Sequence, residues 1–345
     1  MPSPDHFVII GNGPAGNQAA VTLREKDPRA KITIISDENI PFYYKPKLTE
    51  YIAGHIEEEA LVARPHDFYK ERDIRLRLGQ SVQRIDTEKK RILLSHMEDI
   101  HYTHLLIASG ARERLLPAME SYADYLHFIT SFKGVMDFRD KIQQGDSFFI
   151  IGGDLVGFKF LKMLRSMSKK VTLLIYPHAF WPFTLSEDML SIIVSQLKKT
   201  GADILARDDT DSIIPRNNKY LVTTRRGREI PVDMVFSFNG LIPSIEFAKG
   251  SGLDMDRGIL VNEYLQTNVE GVYACGSCAQ IFNPDINAYT TSLGWPNAEV
   301  QGNVAAANLL GAAQKIENVG RKYFDLEGVK IKTTWWEDIG DNTNP

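Results

Sequence analysis

The chain alternates unbroken apolar runs with glycine-punctuated turns and helix-forming stretches. Phe7-Val8-Ile9-Ile10 has no polar residue to turn toward water, the pattern of a strand covered on both faces of a parallel sheet. It runs into Gly11-Asn12-Gly13-Pro14-Ala15-Gly16 and an alanine-rich helix start, and Lys31-Ile32-Thr33-Ile34-Ile35 supplies a second strand ending in Ser36-Asp37-Glu38. A third apolar strand, Leu105-Leu106-Ile107, closes on the small residues Ala108-Ser109-Gly110-Ala111 with Arg112 beyond. The pattern returns in Phe148-Phe149-Ile150-Ile151, Gly152-Gly153-Asp154-Leu155-Val156-Gly157, a helix, and the strand Lys170 to Tyr176. Val272-Tyr273-Ala274-Cys275 leads into Gly276-Ser277, and Trp295-Pro296-Asn297-Ala298 opens a helix that stops at Gly311. These elements predict an α/β protein with two Rossmann-like three-layer units.

The first turn carries chemistry. Gly11 permits a tight strand-to-helix turn, Gly13 lets the backbone touch a pyrophosphate, and Gly16 lets the helix pack close to the strand. The pyrophosphate would rest on unpaired amides at the helix N-terminus. Asp37 falls about 20 residues after the last glycine, where a carboxylate reaches a ribose hydroxyl. Ser109, Gly110 and Ala111 are small enough for the backbone to pass close to a bound cofactor. With 345 residues and a net charge of −4, the chain has ample material for two or three domains and no electrostatic signature of a nucleic-acid binder. No apolar run approaches the ~20 residues of a membrane span and no leader-like segment is present, so a cytoplasmic location is expected. Two cysteines do not make a disulfide-stapled scaffold.

Taken in order, these segments resemble the FAD-dependent pyridine nucleotide-disulfide oxidoreductase superfamily over nearly the whole chain. Tyr43-Tyr44-Lys45-Pro46-Lys47-Leu48 and Trp295-Pro296-Asn297-Ala298 look most like the branch of rubredoxin and ferredoxin reductases and the flavin portion of nitrite reductase. The resemblance implies that Gly11, Gly13, Pro14, Ala15 and Gly16 hold the FAD pyrophosphate. It sets Asp37 and Glu38 at the adenosine ribose and Arg112 near the phosphates, with Ser109 and Gly110 close by. It puts Lys45, followed by Pro46, beside the isoalloxazine N5 as the catalytic residue. The helix at Asn297 and Ala298 would aim its amides at the N1/O2 edge, where positive potential steadies the reduced flavin. Gly276-Ser277 departs from the family's Gly-Asp, so a neutral hydroxyl replaces the charged group expected to hold the ribityl chain.

The second glycine turn sits where the family binds NAD(P)H, and four positions are unsuited to it. Between Gly152 and Gly157, Asp154 adds a side chain and a negative charge facing two phosphates. Tyr176 ends the second strand where an acid would select NAD. Pro177-His178-Ala179-Phe180 offers no arginine for NADP. Lys159 replaces a family glutamate that pairs with Lys45, so two cations are expected on the flavin's hydride face. The expectation is a degenerate NAD(P)H site and an electron-transfer flavin subunit served by an iron-sulfur partner. The alternatives are an NAD(P)H-dependent ferredoxin or rubredoxin reductase, with the nucleotide in an adapted pose, and a scaffold without flavin.

Residues 38–60 contain no cysteine, which argues against thiol substrates. Cys275 and Cys278 have the spacing of a redox pair or half a metal site; the ordinary reading is two residues of a flavin-contacting turn. His96, His101 and His104 read as residues around a surface hairpin. The expected division is 1–114 and 238–320 for the FAD unit, 115–237 for the inserted unit, and 321–345 for the remnant of a C-terminal cap. That remnant is expected to leave apolar surface open near the flavin, with Trp335 and Trp336 serving either as interface anchors or as internal packing.

Overall fold

The computed structural model describes residues 5–175, 185–292, 294–316, 323–332 and 334–335. Strand β1 (His6–Ile10) passes through the glycine turn into α1 (Pro14–Lys26) and returns as β2 (Lys31–Ile35). Short helices α2 (Leu48–Ile52), α3 (Glu58–Leu61) and α4 (His66–Glu71) lead to β3 (Ile74–Arg77). An antiparallel ribbon of β4 (Val82–Asp86), β5 (Arg91–Leu94) and β6 (Asp99–His101) precedes β7 (His104–Ile107) and β8 (Ala111–Glu113).

The second unit comprises β9 (Leu126–His127), α5 (Phe132–Gln144), β10 (Ser147–Gly152), α6 (Leu155–Ser166), β11 (Lys170–Ile175), α7 (Glu187–Lys198) and β12 (Asp203–Ala206). The antiparallel ribbon β13 (Thr210–Arg216), β14 (Lys219–Thr224) and β15 (Glu229–Val232) and the strand β16 (Met234–Phe238) complete it. Its sheet is parallel, in the order β12-β11-β10-β16-β9. Phe148 to Ile151 are fully buried, as expected for a central strand with helices on both faces.

Strand β17 (Leu241–Pro243) returns the chain alongside β8, antiparallel. Strands β18 (Ile259–Val261), β19 (Val272–Ala274), β20 (Ala279–Asn283) and β21 (Ala288–Ser292) then lead to α8 (Trp295–Leu309). With β19 in place the first sheet reads β19-β7-β1-β2-β3, all parallel, in a strand order that returns to chain positions far apart. Two Rossmann-like sheets are therefore present.

The segment after α8 forms strands. Strands β22 (Tyr323–Leu326) and β23 (Val329–Lys332) form a hairpin, and β24 (Thr334–Trp335) pairs with β21. Leu326, Val329 and Ile331 are buried in one core with residues of α2, α5, α6 and α7, and Glu327 pairs with Lys162. The alternating apolar positions of β23 cover part of this helical surface. Trp335 joins the sheet through its backbone opposite Thr291; Trp336 and Tyr176 lie outside the described residues.

Helices α1 and α8 meet through their backbones. A Cβ at Gly302 would stand 2.3 Å from the Ala15 carbonyl oxygen, and one at Gly16 would stand 2.1 Å from that of Gly11. Neither obstacle is a side chain that can rotate away. Gly302→Ala therefore has to separate the two helices, and a loss of about 3 kcal/mol is expected from such overpacking. An unchanged denaturation midpoint for this variant would refute the packing argument.

Candidate functional site

At the start of α1, Gly11 adopts φ +110° and a Cβ there would lie 2.2 Å from the Ala108 carbonyl oxygen. Gly13 is the N-cap of α1; nothing lies within 4 Å of where its Cβ would be, and no side chain caps the helix. No side chain of the described residues takes the first-turn amides, and the Gly13 side of the turn is open, the arrangement an anion needs. Pro14 has no amide to satisfy, and Ala15 and Gly16 are buried against the sheet. Behind the turn, Asn17 Nδ2 donates to Asn12 Oδ1 at 2.7 Å and to the Tyr69 hydroxyl at 2.5 Å, while the Arg64 guanidinium donates to Asn17 Oδ1. Sequence reasoning passed over this network, which holds the loop from below.

Facing it across the α1/α8 contact is Gly276, at φ +76°, followed by half-buried Ser277, whose hydroxyl engages no described residue. Gln301 on α8 is fully buried. Its Oε1 accepts from Gly276 N at 2.7 Å, while its Nε2 has no partner among the described residues. A buried donor left unpaired costs about 1–3 kcal/mol, so this amide points to an absent acceptor. The signal was a lone glutamine among the alanines of α8, and it went unread. Helix α8 also starts without a side-chain cap, behind Gly294 at φ 107°, with Asn297 and Ala298 buried in its first turn. Asn297 Nδ2 donates to Ser292 Oγ at 3.1 Å.

The remaining predicted residues divide. Asp37 is exposed just beyond β2. Glu38 is held inside the protein: Oε1 lies 3.0 Å from Lys45 Nζ, and Oε2 accepts from the Tyr43 hydroxyl at 2.7 Å and from Phe132 N at 2.9 Å. Burial, and next the Glu38 charge, push the Tyr43 phenol far above its ordinary value, keeping it a donor. Lys45 Nζ also donates to the Thr130 carbonyl at 3.1 Å, whereas Lys159 Nζ donates to the carbonyl of exposed Pro46 at 2.7 Å. Lys45 therefore has a carboxylate after all, delivered by the end of β2 and not by α6. Ser109 Oγ donates to the Ser244 carbonyl at 2.7 Å, and Gly110 turns at φ +72° with open space beside it. Arg112 is exposed and forms an ion pair with Glu246.

Cys275 and Cys278 are buried free thiols, and burial raises both above the ordinary thiol value. The Cys278 thiol donates to the Cys275 carbonyl at 3.2 Å, so it is held neutral and unreactive.

The second unit repeats the turn with one change. Gly152 sits at φ +86° with the Phe238 carbonyl oxygen 2.2 Å from its would-be Cβ, and Gly157 is pressed against the Phe238 side chain. The outer two glycines thus keep the close strand and helix contacts seen around Gly11 and Gly16. At the middle position, Asp154 caps α6: Oδ1 accepts from Val156 N and Gly157 N, each at 2.9 Å. Burial raises its carboxyl above the usual value, and these two amides oppose that shift. The donors that a pyrophosphate would use are taken by the chain's own carboxylate.

Comparison with known proteins agrees with this geometry. The family model described as "Pyridine nucleotide-disulphide oxidoreductase" matches residues 5–302. The chain belongs to that family. Within the family it is 30% identical over 315 residues to rhodocoxin reductase of Rhodococcus erythropolis, covering 91% of this chain and 74% of the relative. It is 23% identical over 339 residues to the assimilatory nitrate reductase electron transfer subunit of Bacillus subtilis, covering 94% of this chain and 44% of that protein. Among solved structures, the covalent putidaredoxin reductase-putidaredoxin complex matches with TM-score 0.82 and 26% identity, over 94% of this chain and 80% of that one.

The protein is thus an oxidoreductase of a family that binds FAD and uses NAD(P)H. The first unit fits FAD on its own features: the open cradle at Gly13, the uncapped α1 and α8, and the Gln301 Nε2 that has no partner among the described residues. No described helix is long and apolar enough to cross a membrane. Gln301→Glu keeps the acceptor for Gly276 N but removes the donor. It is expected to weaken FAD binding at least tenfold, read by fluorescence during reconstitution of the apoprotein. Unchanged affinity would show that Gln301 does not contact the cofactor.

Proposed function

We propose that this chain carries FAD and exchanges electrons with an iron-sulfur protein, and that its second unit binds NAD(P)H weakly or not at all. The FAD unit is assigned to residues 1–114 and 238–320, with 115–237 inserted. The Asp154 cap carries the nucleotide half of the reading. A phosphate 4 Å from a carboxylate meets a repulsion of about 4 kcal/mol at an effective dielectric of 20, and it also has to displace two amide hydrogen bonds. The partner half is supported by the relatives: a reductase solved in covalent complex with putidaredoxin and a subunit named for electron transfer.

Bound FAD would supply the redox centre. Lys45, half exposed and anchored at Glu38 and Thr130, would present its ammonium at N5. The uncapped amides of α8 would lend positive potential at the N1 edge, and both favour the electron-rich state of the ring. Arg112 and Ser109, already bonded to Glu246 and Ser244, would shape the cofactor's approach through their backbone.

A second reading, an NAD(P)H-dependent reductase, is favoured by the retained contacts of Gly152 and Gly157 and by relatives named as NAD(+) reductases. A flavin-free scaffold would have no use for an open Gly13 cradle or an unpaired Gln301 amide. One titration separates these outcomes. Under anaerobic conditions the yellow protein is expected to stay oxidised with excess NADH or NADPH and to bleach with dithionite or a reduced iron-sulfur protein. Asp154→Gly combined with Lys159→Glu is expected to speed reduction by NADH about 100-fold. Bleaching of the wild type within seconds by NADH would overturn the reading, and a colourless protein that takes up no FAD would favour the scaffold.

A further inference from the structure

We infer that Glu38 is the positioning residue for Lys45, standing in for the glutamate that α6 lacks at position 159, and that it makes the placement of Lys45 depend on the second unit. This rests on the reading of Lys45 at the flavin edge.

Glu38 is well suited to the task. Its side chain is only 16% exposed, against 43% for Lys45, so the carboxylate is the fixed member of the pair. Each oxygen has its own work: Oε1 faces Lys45 Nζ at 3.0 Å, while Oε2 takes the Tyr43 hydroxyl at 2.7 Å and Phe132 N at 2.9 Å. Phe132 is the first residue of α5, whose N-terminal amides favour a negative charge. The N-cap Ser131 serves a different amide, donated by Gly134 at 3.1 Å, while the Phe132 amide is shared between Glu38 and the Tyr43 hydroxyl, the latter at 3.1 Å. Thr130, whose carbonyl also holds Lys45 Nζ, belongs to the same entry into α5. Lys45 is thus gripped from two sides by one short segment of the second unit, directly at Thr130 and through Glu38 at Phe132. These bonds occupy Glu38 at the junction of the units and leave exposed Asp37 as the acid near the ribose.

An alternative acid at the α6 position is absent, since Lys159 turns its ammonium to the Pro46 carbonyl. A pair this exposed contributes little to stability, so the expected consequence lies in where Lys45 points.

The test is a double-mutant cycle on the FAD-loaded full chain, reading the flavin midpoint potential. Lys45→Met is expected to lower the potential. Removing the Glu38 charge would by itself raise it, because a nearby anion opposes reduction. If Glu38 positions Lys45, Glu38→Gln lowers the potential in the wild-type background and raises it in the Lys45→Met background. Tyr43→Phe, which deletes the hydroxyl's bonds to Glu38 and to Phe132 N but no charge, should lower it by less, and in the Lys45→Met background should have no effect. A rise with Glu38→Gln in both backgrounds would reduce Glu38 to a nearby charge and overturn the inference, as would a Lys45→Met variant with unaltered potential. Should Glu38→Gln fail to fold, Tyr43→Phe decides alone: no change in the wild-type background overturns the inference. Rapid bleaching by NADH would sink the proposed function without touching this cycle, so the two failures are separable.

Discussion

A helix begins with amides that nothing inside it can satisfy, and the two nucleotide-type turns of this chain meet that constraint in opposite ways. At α1 the middle position is Gly13, with empty space above it and no side-chain cap; at α6 it is Asp154, whose carboxylate takes the Val156 and Gly157 amides. The flanking glycines do the same steric work in both turns. The outer glycines serve the packing of helix on strand in both turns, and the middle position differs: open at Gly13, filled by a capping carboxylate at Asp154.

The same logic runs through the first unit. Packing α1 and α8 backbone to backbone at Ala15, Ala19 and Gly302 brings the uncapped start of α1 beside the Gly276 turn and Gln301, on the helix whose own start is also uncapped. Such concentration of unsatisfied donors is expensive for an empty protein, and a dinucleotide cofactor with many acceptors offsets it.

The strands and glycine turns were legible because they are written in consecutive residues: Phe7 to Gly16, Phe148 to Gly157 and Cys275 to Ser277 each combine an apolar run with a turn whose geometry demands small residues. The charge of Asp154 was legible as an obstacle, but its role as a cap required knowing where the amides of Val156 and Gly157 point. Pairings across long stretches of chain were out of reach. Nothing in the order of residues joins Glu38 to Phe132, or Arg112 to Glu246, so Lys45 was expected to lack an acid that it possesses. The seat of the final segment was out of reach for a related reason: no residue order shows that β22 and β23 rest on the α2, α5, α6 and α7 surface.

That surface has a further consequence. Ile40, Leu48 and Ile52 from the first unit share one unbroken apolar cluster with Val135, Phe138 and Phe158 from the second and with Leu326, Val329 and Ile331 from the hairpin. Domain motion is the default where two lobes meet through a small polar boundary, but here a shared apolar cluster spans the boundary beside the Glu38 and Lys45 contacts. Rotating one lobe against the other means exposing core, a cost that ionic strength, which loosens charged hinges, does little to lower.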